Sequence, residues 1–353
     1  MSIIIDAHED IAWNVLCYER DYIKGTQAIR QIEAGGPVEA ATGRAMLGLP
    51  EWLAGGVALV LGTIFTLPAR KKTDGPGLAY ATPLEAHVLG MREIDVYHRL
   101  ADEHPQIKLV KSQSQLESVL KTWDGFDPTD PAKGSNQRQV GIVMSMENAD
   151  PIRTPDELAK WYERGLRAIG PAWAGTRYCG GTNEPGPLTG DGVKLLKMMN
   201  DLNMILDLTH MDEQSYFQAL DRYAGPIIAS HSNARVFTQQ TNRHLTDEMI
   251  KALIDHDGVI GTVIFNKFML PDWNNGDRKD AANIQTVVER IDYVCQKAGD
   301  ARHAAIGSDF DGGYGAESTP TGFDTVTDLK IIGPALVEKG YSAVDVELIM
   351  NGN

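Results

Sequence analysis

Residues 3–10 read IIIDAHED, an apolar run that ends in His8 and Asp10, and the same construction returns four more times. GIVMSMEN (141–148) closes on Glu147, MILDLTH (204–210) on His210, PIIASH (226–231) on His231, and AAIGSDFD (304–311) on Asp309 and Asp311. Apolar strands that keep ending in ligating residues are what a parallel barrel gives when its strands converge on one mouth. The residue types, imidazole nitrogens and carboxylate oxygens, suit zinc-like ions.

Outward from these five runs the chain alternates. Further strand-like runs lie near 57–66, 166–172 and 259–265, with helical runs between, at 155–165, 189–203, 246–257 and 283–298. Thr154-Pro155-Asp156-Glu157 and Thr246-Asp247-Glu248 are helix-start signals. GVALVLGTIF (56–65) and VIGTVIF (259–265) are unbroken apolar runs, as expected where helices cover both faces of a parallel sheet. Eight strands close an α/β (β/α)8 TIM barrel. A ninth run, IKLVK (107–111), ends in no ligand and is expected to be a peripheral strand in the second connection. Residues 14–55 are expected to form an enlarged first connection. The polar stretches 123–138, 174–188 and 266–282 read as loops over a single barrel spanning 1–353, not as domain boundaries.

Composition narrows the class. The 353 residues are 42% hydrophobic, enough for a sizeable core, and carry a net charge of −15. That charge opposes a nucleic-acid or anionic-membrane partner. No run approaches the ~20 apolar residues of a membrane-spanning helix. MSIIIDAHED enters a strand without a basic region, so no secretory signal is expected. Cys17, Cys179 and Cys295 are odd in number and widely spaced, which suits free thiols and a cytoplasmic location.

His8 and Asp10 are two apart, so an extended strand would point both to one side. Asp309 and Asp311 share that spacing, and the further oxygen ligands of a calcium loop are missing. A catalytic carboxylate at the end of the last strand fits better. Glu147 has two oxygens and could bridge two ions. A lone His-x-Asp is usually a surface pair, and a lone buried histidine is usually hydrogen-bonded core. Two such histidines in consecutive βα units, joined to Glu147 and the His8–Asp10 pair, are not explained by packing. His87, His98, His104, His256 and His303 are expected to be structural or solvated. No GxGxxG, P-loop or GxSxG follows a strand.

These motifs resemble the membrane (renal) dipeptidase family of zinc metallopeptidases. The matching segments are DAHED (6–10), Glu147, GLRAIG (165–170), LTGDGVKLLKMMNDLNMILDLTH (188–210), PIIASHSNAR (226–235), RHLTDEMIKAL (243–253) and IGSDFDG (306–312), in family order. The resemblance implies an amidohydrolase-like barrel with two Zn2+ ions bridged by Glu147 and a water or hydroxide. His8 and Asp10 would hold the first ion, His210 and His231 the second. Asp309 would handle the proton and meet the substrate's amino group, and Arg243 would grip its carboxylate. A small-molecule substrate, a dipeptide, is implied, and a homodimer is common among relatives.

Departures from the family pattern open alternatives. Where the family has a histidine that polarises the substrate carbonyl, this chain has Trp173. An indole donates one hydrogen bond and cannot become a cation. Arg177 or Tyr178, in the following loop, are the expected substitutes, and N-acyl amino acids or other small amides and esters become alternative substrates. The stretch from His231 to Arg243 is one residue longer than usual, and the chain stops at MNGN where relatives continue, an expected truncation. Outside the hydrolases stands a non-catalytic, metal-stabilised binding protein. A two-carboxylate glycosidase would not need the histidines.

Overall fold

The computed structural model describes residues 3–73, 75–238 and 241–353. Nine parallel strands run in chain order: β1 Ile4–Glu9, β2 Val57–Phe65, β3 Ile107–Leu109, β4 Val140–Glu147, β5 Leu166–Gly170, β6 Ile205–Asp207, β7 Ile227–Ala229, β8 Val259–Thr262 and β9 Ala304–Ile306. Their lateral order is β2-β1-β9-β8-β7-β6-β5-β4-β3, and a β2–β4 pairing closes the ring. Eight strands thus form a (β/α)8 barrel.

β3 stands outside the ring. β4 pairs with β2 along one edge, from Gly141 to Glu147. Its other edge serves two neighbours, β3 through Val140–Ile142 and β5 through Met144–Glu147. β3 falls in the second connection and carries none of the ligating residues, as the sequence suggested.

Burial follows the apolar runs. β2 is buried at every position but its last, Phe65. β1 is followed by four helices, Ile11–Tyr18, Thr26–Glu33, Pro37–Thr42 and Leu49–Gly55, which make up the enlarged first connection. The longest helix, Pro83–Glu103, starts at a capping box in which Thr82 and Glu85 each receive the other's backbone N–H. Its Glu93 is buried and accepts from the backbone of Phe65 at 2.7 Å, fixing the end of β2.

Closure between first and last strands is direct. β1 pairs with β9 through Asp6 and Ile306, and the backbone N–H of Asp309 donates to the His8 carbonyl at 3.1 Å. Gly307 makes the approach to β7 feasible: a Cβ there would lie 1.7 Å from the Ser230 carbonyl oxygen. No helix among the described residues is long and apolar enough to cross a membrane.

Candidate active site

The C-terminal strand ends gather the ligating residues that the sequence singled out. His8 lies in β1, and Asp10 follows as the residue before the helix Ile11–Tyr18. Glu147 is the last residue of β4. His210, His231 and Asp309 lie just beyond β6, β7 and β9. All six are buried.

Distances divide the cluster into two groups that share Glu147. On one side, Glu147 Oε1 lies 3.0 Å from His210 Nε2 and 3.3 Å from His231 Nε2, and the two Nε2 atoms are 3.3 Å apart. A four-coordinate ion with nitrogen and oxygen ligands at ~2.0–2.1 Å sets neighbouring ligand atoms about 3.3 Å apart. The three atoms therefore already outline one face of a tetrahedral zinc-like site. On the other side, His8, Asp10 and Glu147 offer ligand atoms within 4.8 Å of one another, with His8 Nε2 3.7 Å from Asp10 Oδ2. Asp309 Oδ1 is 3.9 Å from the same nitrogen.

The electrostatics are those of a site short of positive charge. Burial, then repulsion from the charges on Arg243 and His8, holds His210 and His231 well below the usual imidazole range, so both stay neutral with lone pairs to give. Burial pushes Glu147 well above the carboxylate range. Burial also raises Asp309 to about 7, against the pull of His8. Burial works to lower His8, but its pairing with Asp10 and the charges of Glu147, Asp10 and Asp309 overcome that and hold it at about 10. Three carboxylates around one protonatable ring are costly to ionise together in a buried site, and a divalent cation would relieve that cost.

Residues behind the ligands fix them. His231 Nδ1 meets Ser230 Oγ at 2.8 Å, and Ser230 in turn donates its hydroxyl to Asp207. Asp207 also accepts the backbone N–H groups of Thr209 and Ser230, each at 2.9 Å. His210 Nδ1 meets Thr182 Oγ1 at 2.9 Å. Such partners set which imidazole nitrogen faces an ion. Asp207, Ser230 and Thr182 escaped the sequence reading. The signal for the first two was in plain view, as the aspartate in DLTH and the serine in SH.

Two expectations need correction. Asp311 does not share the ligand cluster with Asp309. Both residues have positive φ, 60° and 63°, so the backbone curls and the two-residue strand rule fails. Asp311 instead accepts from Tyr22 Oη and the Met46 backbone, each at 2.8 Å, and pairs with Arg20 at 3.2 Å, tying the first connection to the end of β9. Arg177 and Tyr178 do not stand in for the missing histidine either. Arg177 pairs with Asp150 at 3.3 Å, and the Tyr178 hydroxyl donates to the Ile152 carbonyl. Neither lines the cavity.

That cavity, of ≈ 490 Å³, opens over the cluster. Trp173 forms part of its wall, its ring edge-to-face with Phe65 at 5.3 Å. Arg243 lines it too. The guanidinium lies over the Phe268 ring at 4.8 Å, Nη2 donates to the His231 carbonyl at 2.9 Å, and buried Nε and Nη1 have no partner among the described residues. Part of the lengthened stretch before it, Gln239 and Gln240, lies outside the described residues. His244, unnoticed in the sequence, also faces the cavity, with Nδ1 unpartnered. Four of the five histidines set aside bond to backbone carbonyls: His87 to Pro151, His98 to Arg164, His256 to Ala252 and His303 to Gly258.

Fold and cluster together define a (β/α)8 barrel whose mouth gathers residues that could hold a divalent metal. The family model described as "Membrane dipeptidase (Peptidase family M19)" matches residues 1–353, and the chain belongs to that family. It is 28% identical over 223 residues to an uncharacterised protein in the PQQ-III 3′ region of Acinetobacter calcoaceticus, covering 60% of this chain and 65% of that one. It is 36% identical over 165 residues to an uncharacterised protein in the pqqA 5′ region of Klebsiella pneumoniae, covering 44% and 59%. The matches thus span less than two thirds of these relatives' own length. A metallo peptidase from Rhodobacter sphaeroides, liganded with a phosphinate mimic of the dipeptide L-Ala-D-Ala, shares the fold. The TM-score is 0.76 at 21% identity, over 99% of this chain and 96% of that one.

Proposed function

We propose that the protein is a dipeptidase that binds two zinc ions, His8 and Asp10 holding one, His210 and His231 the other, with Glu147 between. The observation that carries this reading is the Glu147–His210–His231 triangle, whose edges of 3.0, 3.3 and 3.3 Å suit a zinc-like ion. When bound, such ions lower the pKa of coordinated water to roughly 7 and polarise a carbonyl.

This chain's own residues do the rest. Asp309, raised to about 7 by burial, can hold or release a proton at a carboxylate oxygen near neutral pH. Arg243 lines the cavity with Nε and Nη1 unpartnered among the described residues, and its guanidinium fork is the group there that suits a substrate carboxylate. Its stack on Phe268 and its bond to the His231 carbonyl fix that fork in place. Trp173 acts as an apolar wall and excludes water.

The test is hydrolysis of a dipeptide set by protein reconstituted with zinc, alongside metal analysis. Two bound ions with no hydrolysis would defeat the reading. A second substrate class, N-acyl amino acids, is favoured by one feature. Trp13, Phe65 and Trp173 form a continuous aromatic wall, with edge-to-face contacts at 5.2 and 5.3 Å, beside the ligands. Faster turnover of N-acyl amino acids than of dipeptides would shift the assignment to that class.

A further inference from the structure

Lys267 lines the cavity half-buried, and it has neither a hydrogen bond nor an ion pair among the described residues. It is a free cation in a chain where 48 acidic residues face 33 basic ones. The other lysine of the lining, Lys71, is neutralised by Glu184 at 2.8 Å. The acids of the lining are engaged elsewhere: Asp10, Glu147 and Asp309 lie in the ligand cluster, and Asp311 faces Arg20. An ammonium partly withdrawn from water and facing a cavity gains most from an anion that enters it.

Its neighbours locate that anion. Lys267 adjoins Phe268, whose ring carries the Arg243 guanidinium at 4.8 Å and the His244 ring at 5.1 Å. Arg243, Lys267 and Phe268 all line the same cavity, while burial holds the neighbouring His244 well below the usual imidazole range. Arg243, whose Nε and Nη1 have no partner among the described residues, has donors left for one carboxylate. Lys267 is left for a second. We propose that the substrate residue on the carboxy-terminal side of the scissile bond is acidic, its α-carboxylate held by Arg243 and its side-chain carboxylate by Lys267. The proposal rests on the dipeptidase reading and narrows its substrate class.

The experiment compares kcat/KM for Ala-Glu, Ala-Gln, Ala-Ala and Ala-Lys, with the second residue in both L and D forms, on zinc-loaded protein. Ala-Glu should exceed Ala-Gln by about tenfold, the scale of one partly desolvated charge pair. Lys267→Gln should bring that ratio to about one, and Lys267→Glu should turn the preference toward Ala-Lys, which a merely structural lysine would not do. Equal rates for Ala-Glu and Ala-Gln, or a ratio that Lys267→Gln leaves unchanged, overturns the acidic subsite while the dipeptidase reading stands. Absence of hydrolysis across the whole set removes both.

Discussion

At the scale of single residues, the site depends on backbone that only special circumstances allow. His210 and Asp309 both adopt positive φ, 67° and 60°, a region disfavoured for residues with side chains. The chain turns there because the strands have already ended, so each side chain swings into the mouth. Asp309→Asn should keep both metals and lower kcat by ~10²–10⁴, the usual range for a lost acid–base group, as read by metal analysis beside steady-state kinetics. His210→Ala should instead lose metal from one of the two positions. Gly307→Ala should disturb both at once, since its methyl would strike the Ser230 carbonyl next to His231. That His8, Asp10, Glu147, His210 and His231 cluster was legible in the sequence because each closes an apolar run, and strands of one barrel end at one mouth. The left-handed turns were not legible, and without them Asp311 looked like a twin of Asp309. Arg177 and Tyr178 misled for a related reason: proximity in sequence to Trp173 says nothing about which way a loop sends a side chain.

Elements carry the positioning. All eight barrel strands were legible as apolar runs, though β6, β7 and β9 are shorter than their runs because pairing stops where the ends curl inward. The long loop after β5 is pinned by Glu184, which accepts from Arg70 at 2.8 Å and from the Gly175 backbone at 3.0 Å, and pairs with Lys71. Bonding to Arg70, aided by Lys71, holds its carboxyl down at about 2 against an ordinary 4.5. A depressed carboxylate stabilises the fold above its ordinary value, and that contribution fades as pH falls from 4.5 toward about 2. Unfolding curves of wild type and Glu184→Gln should therefore differ at neutral pH and converge near pH 2. The first connection hangs on Asp311, buried with Arg20. Asp311→Ala leaves Arg20 with Glu33 alone, at 2.9 Å, and strips the Tyr22 hydroxyl and the Met46 N–H of their acceptor, and should cost about 3 kcal/mol in urea unfolding.

For the whole molecule, the ligand cluster is a concentration of negative charge inside a protein that is already acidic. Metal that binds only the folded state adds stability according to its concentration. Chelation should therefore lower Tm, and titrating zinc back should raise it in step with occupancy, as scanning calorimetry can follow. A Tm indifferent to chelator would mean that the cluster is neutralised by protons alone.

The seam between β1 and β9 has a consequence for how such a chain folds. His8 and Asp309 stand 301 positions apart in the sequence, yet the peptide N–H of Asp309 meets the carbonyl of His8. Contacts between such distant segments close late in folding, so the corner of the site where Asp309 meets His8 should be completed only after the strands between them have paired.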